Sequence, residues 1–167
     1  MKAGLPICLG YFSVSFGFGI LAIKSDLQVI DAILISLTNL TSAGQAAGVG
    51  IIAAAGTLIE MAATQFVINL RYSLMGLTLS QKLSDKFTTV HRMIAAFGIT
   101  DEIFAVSVSQ KEKLVPSYMY GLILISAAGW VGGTAAGAIA GLVGFILAGS
   151  INHTVSTASA NNMGFTG

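Results

Sequence analysis

Residues 57–80 read TLIEMAATQFVINLRYSLMGLTLS, an apolar run that carries Glu60 near its start and Arg71 deep inside it. As a helix this stretch is about 36 Å long, against about 30 Å of hydrocarbon in a bilayer. Thr57–Ser80 is therefore expected to cross a membrane. A bare guanidinium is expensive in hydrocarbon, so Arg71 must pair with an acid, reach the aqueous interface or meet a ligand. At 100° per residue Thr57, Glu60, Thr64 and Arg71 fall within about 60° of one another, while Gln65 and Asn69 lie towards the opposite side. Glu60 and Arg71 are about 16 Å apart along the axis, too far to pair directly. Partners for Arg71 are then Asp101, Glu102 or a bound carboxylate.

The rest of the chain agrees with a membrane setting. Charged residues make up 9% of the sequence and apolar ones 54%, whereas soluble domains carry roughly 25% charge. The 167 residues suffice for about four to six helical crossings. Continuous apolar runs without strict alternation exclude a barrel, because lipid leaves only helices and closed barrels as spanning structures. The expected fold is all-α: a polytopic integral membrane helical bundle with broken or re-entrant helices. Residues 1–149 form its single membrane domain, and residues 150–167 form a polar loop or tail. A net charge of +1 with no basic face excludes nucleic acid. Cys8, the only cysteine, can form neither a disulfide within the chain nor a CxxC pair.

Leu5–Ile23 reads as a second span, retained because no small-x-small cleavage pattern follows it. Between the two spans, Ala32–Ala43 and Gln45–Gly56 are each too short to cross, and the hinge is expected at Ser42-Ala43-Gly44-Gln45. Lys82, Lys86 and Arg92 mark the loop after Ser80 as cytoplasmic, and Lys2 places the N-terminus on the same side. Two full crossings satisfy that parity, so the short pieces form a re-entrant hairpin; the rival is one ordinary span with the N-terminus outside. Asp85–Phe97 is amphipathic and expected to lie in the interface. Gly98 ends it, and Thr100 caps a following helix whose first turn holds Asp101 and Glu102. Ser117–Ala148 is too long for one straight crossing, and a break among its glycines is expected. Gly129, Gly133, Gly137 and Gly141 repeat every fourth residue, a smooth stripe suited to close helix packing. Ser150–Gly167, rich in Ser, Thr, Asn and Gly, reads as a loop or frayed end.

Chemistry-bearing motifs are few. Two GxGxxG-like strings, at Gly17 and Gly48, follow no strand and read as packing glycines. His91 and His153 lack companions at metal-ligand spacing, and the Asn39 and Asn152 sequons are short enough to arise by chance. No nucleophile and base are spaced for catalysis, so neither an enzyme nor a cofactor is expected.

Several motifs in order carry a resemblance: Gly4-Leu5-Pro6 with Gly10-Tyr11, Phe16-Gly17-Phe18-Gly19-Ile20-Leu21-Ala22, a Ser-rich segment reaching Gln45, Asn69-Leu70-Arg71, Gly98-Ile99-Thr100-Asp101-Glu102, and Trp130. Over residues 3–148 the chain resembles the AzlC family, large subunits of bacterial branched-chain amino acid permeases and exporters. The resemblance implies a multi-pass protein of the bacterial cytoplasmic membrane that moves apolar amino acids, often outward, with a small AzlD-like membrane subunit as partner. Family members usually continue into further hydrophobic segments beyond the point where this chain ends.

For such a transporter the candidate substrate-binding or proton-coupling residues are Arg71, Asn69, Asp101, Glu102, Gln45 and Glu60. Arg71, or a half-helix N-terminus near Gln45, would hold a carboxylate; Asp101 or Glu102 would hold an ammonium or exchange a proton. The alternative reading is a non-transporting membrane scaffold or accessory subunit, suggested by the glycine stripe.

Overall fold

The computed structural model describes the backbone of residues 4–163 and the side chains of residues 4–151; the Asn152 sequon and His153 lie outside the described side chains. Among the described residues the chain forms helices α1 (Leu5–Lys24), α2 (Val29–Thr38), α3 (Ser42–Ala53), α4 (Leu58–Ser80), α5 (Thr89–Phe97), α6 (Asp101–Val108) and α7 (Pro116–Met163). Only an isolated bridge, Leu83 with Leu114, departs from helix and loop among them. The all-α expectation holds. α1 and the Pro116–Ile151 part of α7 are long and apolar enough to cross a membrane.

The glycine stripe organises the centre. Gly129 packs on Cys8, Gly133 on Phe12 and Ser15, Gly137 on Phe16, and Gly141 approaches Ile20 and Ile23. Residue numbers rise together in the two helices, so α1 and α7 run parallel. Gly19 reciprocates from α1, where an added Cβ would sit 2.5 Å from Ala138 N. The glycines therefore do not break α7, contrary to the sequence expectation: they remove the side chains that would hold two backbones apart. The helix also continues through Met163, so residues 150–163 are helical instead of forming a loop. That segment contains neither Pro nor Gly, so it extends an existing helix without the cost of a new nucleus.

α2 enters from the end where α1 finishes and runs antiparallel to α7: Ser36 Oγ is 2.7 Å from Thr134 Oγ1, and Trp130 Nε1 donates to Asn39 O at 3.3 Å. The chain then reverses. Gln45 Nε2 donates to Ser36 Oγ at 2.6 Å, and Val49 shares a buried apolar cluster with Ala32, Phe18, Ala22 and Ala138. A helix continuing onward after residue 38 would carry residues 45 and 49 away from 36 and 32. α2 and α3 are thus the two limbs of a re-entrant hairpin. Its turn is Asn39–Thr41, three residues before the expected hinge, because Asn39 Oδ1 accepts from Thr41 N at 3.2 Å and Trp130 holds the Asn39 carbonyl.

α4 returns antiparallel to α3, with Gly44 and Gly48 beside Gln65 and Met61. Its N-terminus is capped by Thr57, whose hydroxyl accepts from Glu60 N at 3.2 Å. A second reversal follows at the opposite end of the molecule. α5 begins near Tyr120, which bonds to His91 at 2.6 Å, and runs inward until Gly98 meets Ile123. α6 runs back out, with Ser107 3.4 Å from Met119 Sδ and Lys82 Nζ donating to Gln110 O at 2.5 Å beyond its C-terminus. α5 is therefore an inward limb, not the interfacial helix that its amphipathic pattern suggests; Gly98 permits the close approach to α7 that draws its end into the bundle. Each half of this arrangement has the same order: a long helix, a half-helix, a three-residue break ending in Thr41 or Thr100, and a second half-helix. The two hairpins enter from opposite ends.

Candidate functional site

The N-termini of α3 and α6 converge where the two hairpin turns approach each other. A cavity of about 410 Å³ lies there, lined by Leu40, Thr41 and Ser42 from the first turn, by Thr100, Asp101 and Glu102 from the second, and by residues of α1, α4 and α7. Both half-helices direct their positive dipole ends towards it. Thr100 caps α6 by accepting from Ile103 N at 3.4 Å. Thr41 makes no such cap; its hydroxyl accepts from Tyr72 OH at 3.1 Å instead.

Two carboxylates in the first turn of α6 have different partners. Asp101 Oδ2 lies 2.9 Å from Arg71 Nη2, an ion pair with side chains 44% and 48% exposed in the isolated chain. Arg71 also donates to Tyr72 OH at 3.1 Å and lies over the Tyr72 ring, 5.0 Å from its centre. Glu102 accepts from the hydroxyl of Tyr11, which is also 2.5 Å from Thr100 Oγ1. The Tyr11 ring is fixed edge-on against Trp130, 5.2 Å between centres. The result is two polar chains lining one cavity: Glu102, Tyr11 and Thr100 in one, Asp101, Arg71, Tyr72 and Thr41 in the other. Apolar atoms of Pro6, Ile7, Val14 and Leu40 complete the wall.

The structure thus brings together three of the six sequence candidates, Arg71, Asp101 and Glu102. Gln45 and Asn69 lie elsewhere, beside a second cavity of about 460 Å³ between the limbs of the first hairpin, α4 and the end of α5. Asn69 Nδ2 donates to Gln65 O at 2.8 Å within α4. Glu60 belongs to neither cavity: it is exposed in the first turn of α4, at the far end of that helix from Arg71. Tyr11, Tyr72 and Thr41 were not among the candidates. Their signal was weak but present: two aromatic side chains with polar tips inside apolar runs, where a hydroxyl usually has a partner.

A family model described as AzlC protein matches residues 6–143. An "Uncharacterized membrane protein" of Archaeoglobus fulgidus is 37% identical over 136 residues, covering 81% of this chain and 58% of the relative. "Inner membrane protein YgaZ" of Escherichia coli is 28% identical over 144 residues, covering 84% and 59%. This chain therefore spans a little under three fifths of the curated relatives it matches. No solved structure matches.

Proposed function

Because the chain belongs to the AzlC family and is a membrane protein, we propose that it is the substrate-binding part of a secondary transporter for apolar, branched-chain-like amino acids, acting in export across the bacterial cytoplasmic membrane. The observation that carries the reading is the Arg71–Asp101 pair beside Glu102, gathered at two converging half-helix N-termini. A zwitterion needs one cationic and one anionic partner. Arg71 and the exposed N–H groups of α3 suit its carboxylate, and Asp101 or Glu102 suits its ammonium. Asp101 would exchange Arg71 for the incoming ammonium, so binding replaces one ion pair by two without leaving a charge bare. Glu102, held by Tyr11, would be the proton-exchanging group in this reading. The apolar wall would select side chains by size, which discriminates weakly at about 1–3 kcal/mol per methylene.

The test is flux of labelled valine in proteoliposomes, with and without a small AzlD-like membrane subunit. Saturable flux with counter-flow by preloaded valine is the expected result. No flux under either condition overturns the reading.

One observation favours a second reading, an accessory or scaffold subunit. α4 is largely uncovered, with Leu58, Ile59, Phe66, Val67 and Leu74 each more than two-thirds exposed in the isolated chain. That reading predicts valine flux only when a separate transporting subunit is present, and unchanged flux on substitution of Arg71.

A further inference from the structure

We propose that the second cavity, between α2, α3 and α4, is a binding site for a monovalent cation, with Gln45 Oε1 as one ligand. It shares Leu40, Thr41 and Tyr72 with the Arg71 cavity but does not depend on the amino-acid assignment made for that cavity.

Each side-chain amide nitrogen around the cavity has at least one of its two hydrogens engaged within the protein. Gln45 Nε2 donates to Ser36 Oγ at 2.6 Å, Gln65 Nε2 to Gly44 O at 2.7 Å, Asn69 Nδ2 to Gln65 O at 2.8 Å, and Asn39 Nδ2 to Gln65 Oε1 at 3.5 Å. The Thr38 hydroxyl donates to Leu34 O at 2.8 Å, and that of Tyr72 to Thr41. Beside these donors the cavity holds a buried acceptor with no partner. Gln45 is 1% exposed and lines the cavity, yet its Oε1 has no hydrogen-bond partner. A buried amide oxygen without a partner is destabilising, and a bound cation would offset that cost.

Helix ends point the same way. α2 terminates at this cavity, and the carbonyls of Ser36, Leu37 and Thr38 accept no bond from the backbone that follows. Ala96 and Phe97, at the end of α5, line the cavity too. Two half-helix C-termini therefore line this space, together with Gly44 and Gln45 from the start of α3. C-terminal carbonyls carry partial negative charge and suit cations. No carboxylate lines the cavity, so the field is that of neutral oxygens, enough to replace the shell of a singly charged ion. A divalent ion would ask for acidic ligands. Gly44 keeps the space open: an added Cβ would lie 2.7 Å from Gln65 Oε1 and 2.5 Å from Thr41 Cγ2.

The experiment measures radiolabelled sodium bound to the detergent-purified full chain. Saturable binding is expected, displaced by unlabelled sodium chloride and unaffected by N-methyl-glucamine chloride at the same concentration. Gln45→Met and Gly44→Ala are each expected to weaken it at least about tenfold, the smallest loss typical when support for a bound metal is removed. Arg71→Ala should leave it unchanged, which separates this site from the amino-acid site. Absence of bound sodium, equal displacement by N-methyl-glucamine, or wild-type binding by folded Gln45→Met overturns the proposal. If Gln45→Met fails to fold, Gly44→Ala decides.

Discussion

The seam between α1 and α7 and the outer face of α4 are both built from apolar helix, yet they solve opposite problems. At the seam two backbones touch through Gly19, Gly129, Gly133 and Gly137, and Ala22 and Ala138 are fully buried. α4 meets the first hairpin along one side, where Gln65 bonds to the Gly44 carbonyl and Tyr72 to Thr41, while Leu58 at 88% exposed and its neighbours face outward. The comparison separates rigidity from chemistry. The close-packed pair supplies a fixed wall carrying Tyr11 and Trp130, and the loosely held helix supplies the charge, Arg71. A site assembled across that boundary can change when α4 moves without disturbing the seam.

The sharpest way to break this division is to put a side chain into the seam. A methyl group at residue 137 would overlap the Phe16 backbone, lying 2.8 Å from its Cα. Backbone cannot rotate away as a side-chain tip can. Gly137→Ala should therefore destabilise the detergent-purified protein by about 1–3 kcal/mol or more, read as a fall in the thermal unfolding midpoint. An unchanged midpoint would mean that the two helices do not meet as described.

A smaller effect on stability, but a large one on function, is expected across the boundary. Both members of the Arg71–Asp101 pair are close to half exposed, and exposed pairs contribute about 0–1 kcal/mol. Arg71→Ala should thus unfold near the wild-type temperature while losing valine flux by at least about tenfold, equivalent to about 1.4 kcal/mol of lost binding. The exchanged pair, Arg71→Asp with Asp101→Arg, distinguishes a lock from a site. A lock works equally well when reversed. If flux returns in the exchanged variant, the pair only fastens α4 to α6.

Much of this architecture was legible in the chain. Length and hydropathy marked α1 and α7 as candidate spans; α4 forms as a helix, but its polar residues keep it below their hydropathy, and Arg71, singled out by its cost in hydrocarbon, lines the candidate site. Thr100 before Asp101 and Glu102 marked the start of α6, because capping is local chemistry. What escaped was non-local. Tyr11 meets Glu102 across 91 positions, and no spacing rule reaches that far. The first hairpin turns at Asn39–Thr41 because Trp130, on α7, holds the Asn39 carbonyl; the glycine expected to make the hinge, Gly44, serves to admit Gln65 instead. The α7 glycines suggested a break when read alone, and a seam once α1 was beside them. Amphipathicity placed α5 at a surface, since the exposed Val90, Met93 and Ile94 look the same whether a helix lies flat or runs inward with one side uncovered.

Removing one oxygen refines the comparison further. Tyr11→Phe keeps the ring against Trp130 and deletes the hydroxyl that serves Glu102 and Thr100. Hydrogen bonds to charged groups contribute about 1.5–3 kcal/mol. Where that bond orients Glu102 for proton exchange, the loss appears in the dependence of valine flux on an imposed pH gradient. Flux without a gradient should fall less. An equal loss with and without the gradient would assign Tyr11 to packing alone.

The smallest effect belongs to a glycine outside the seam. Gly144 lies on α7 beyond the last close approach to α1, and an added Cβ there meets nothing within 4 Å. Gly144→Ala adds no clash and removes some conformational freedom from the unfolded chain, which in exposed helix favours folding by up to about 1 kcal/mol. The unfolding midpoint should rise slightly or stay level, opposite in sign to Gly137→Ala seven residues earlier on the same helix. Those seven residues are close to two full turns, so the two glycines point in nearly the same direction. Position along the axis, not the face occupied, would then separate them: α1 backbone lies within 3 Å of a Cβ added at 137, whereas nothing lies within 4 Å of one added at 144. A matching loss of stability in both variants would place a further helix against the outer part of α7.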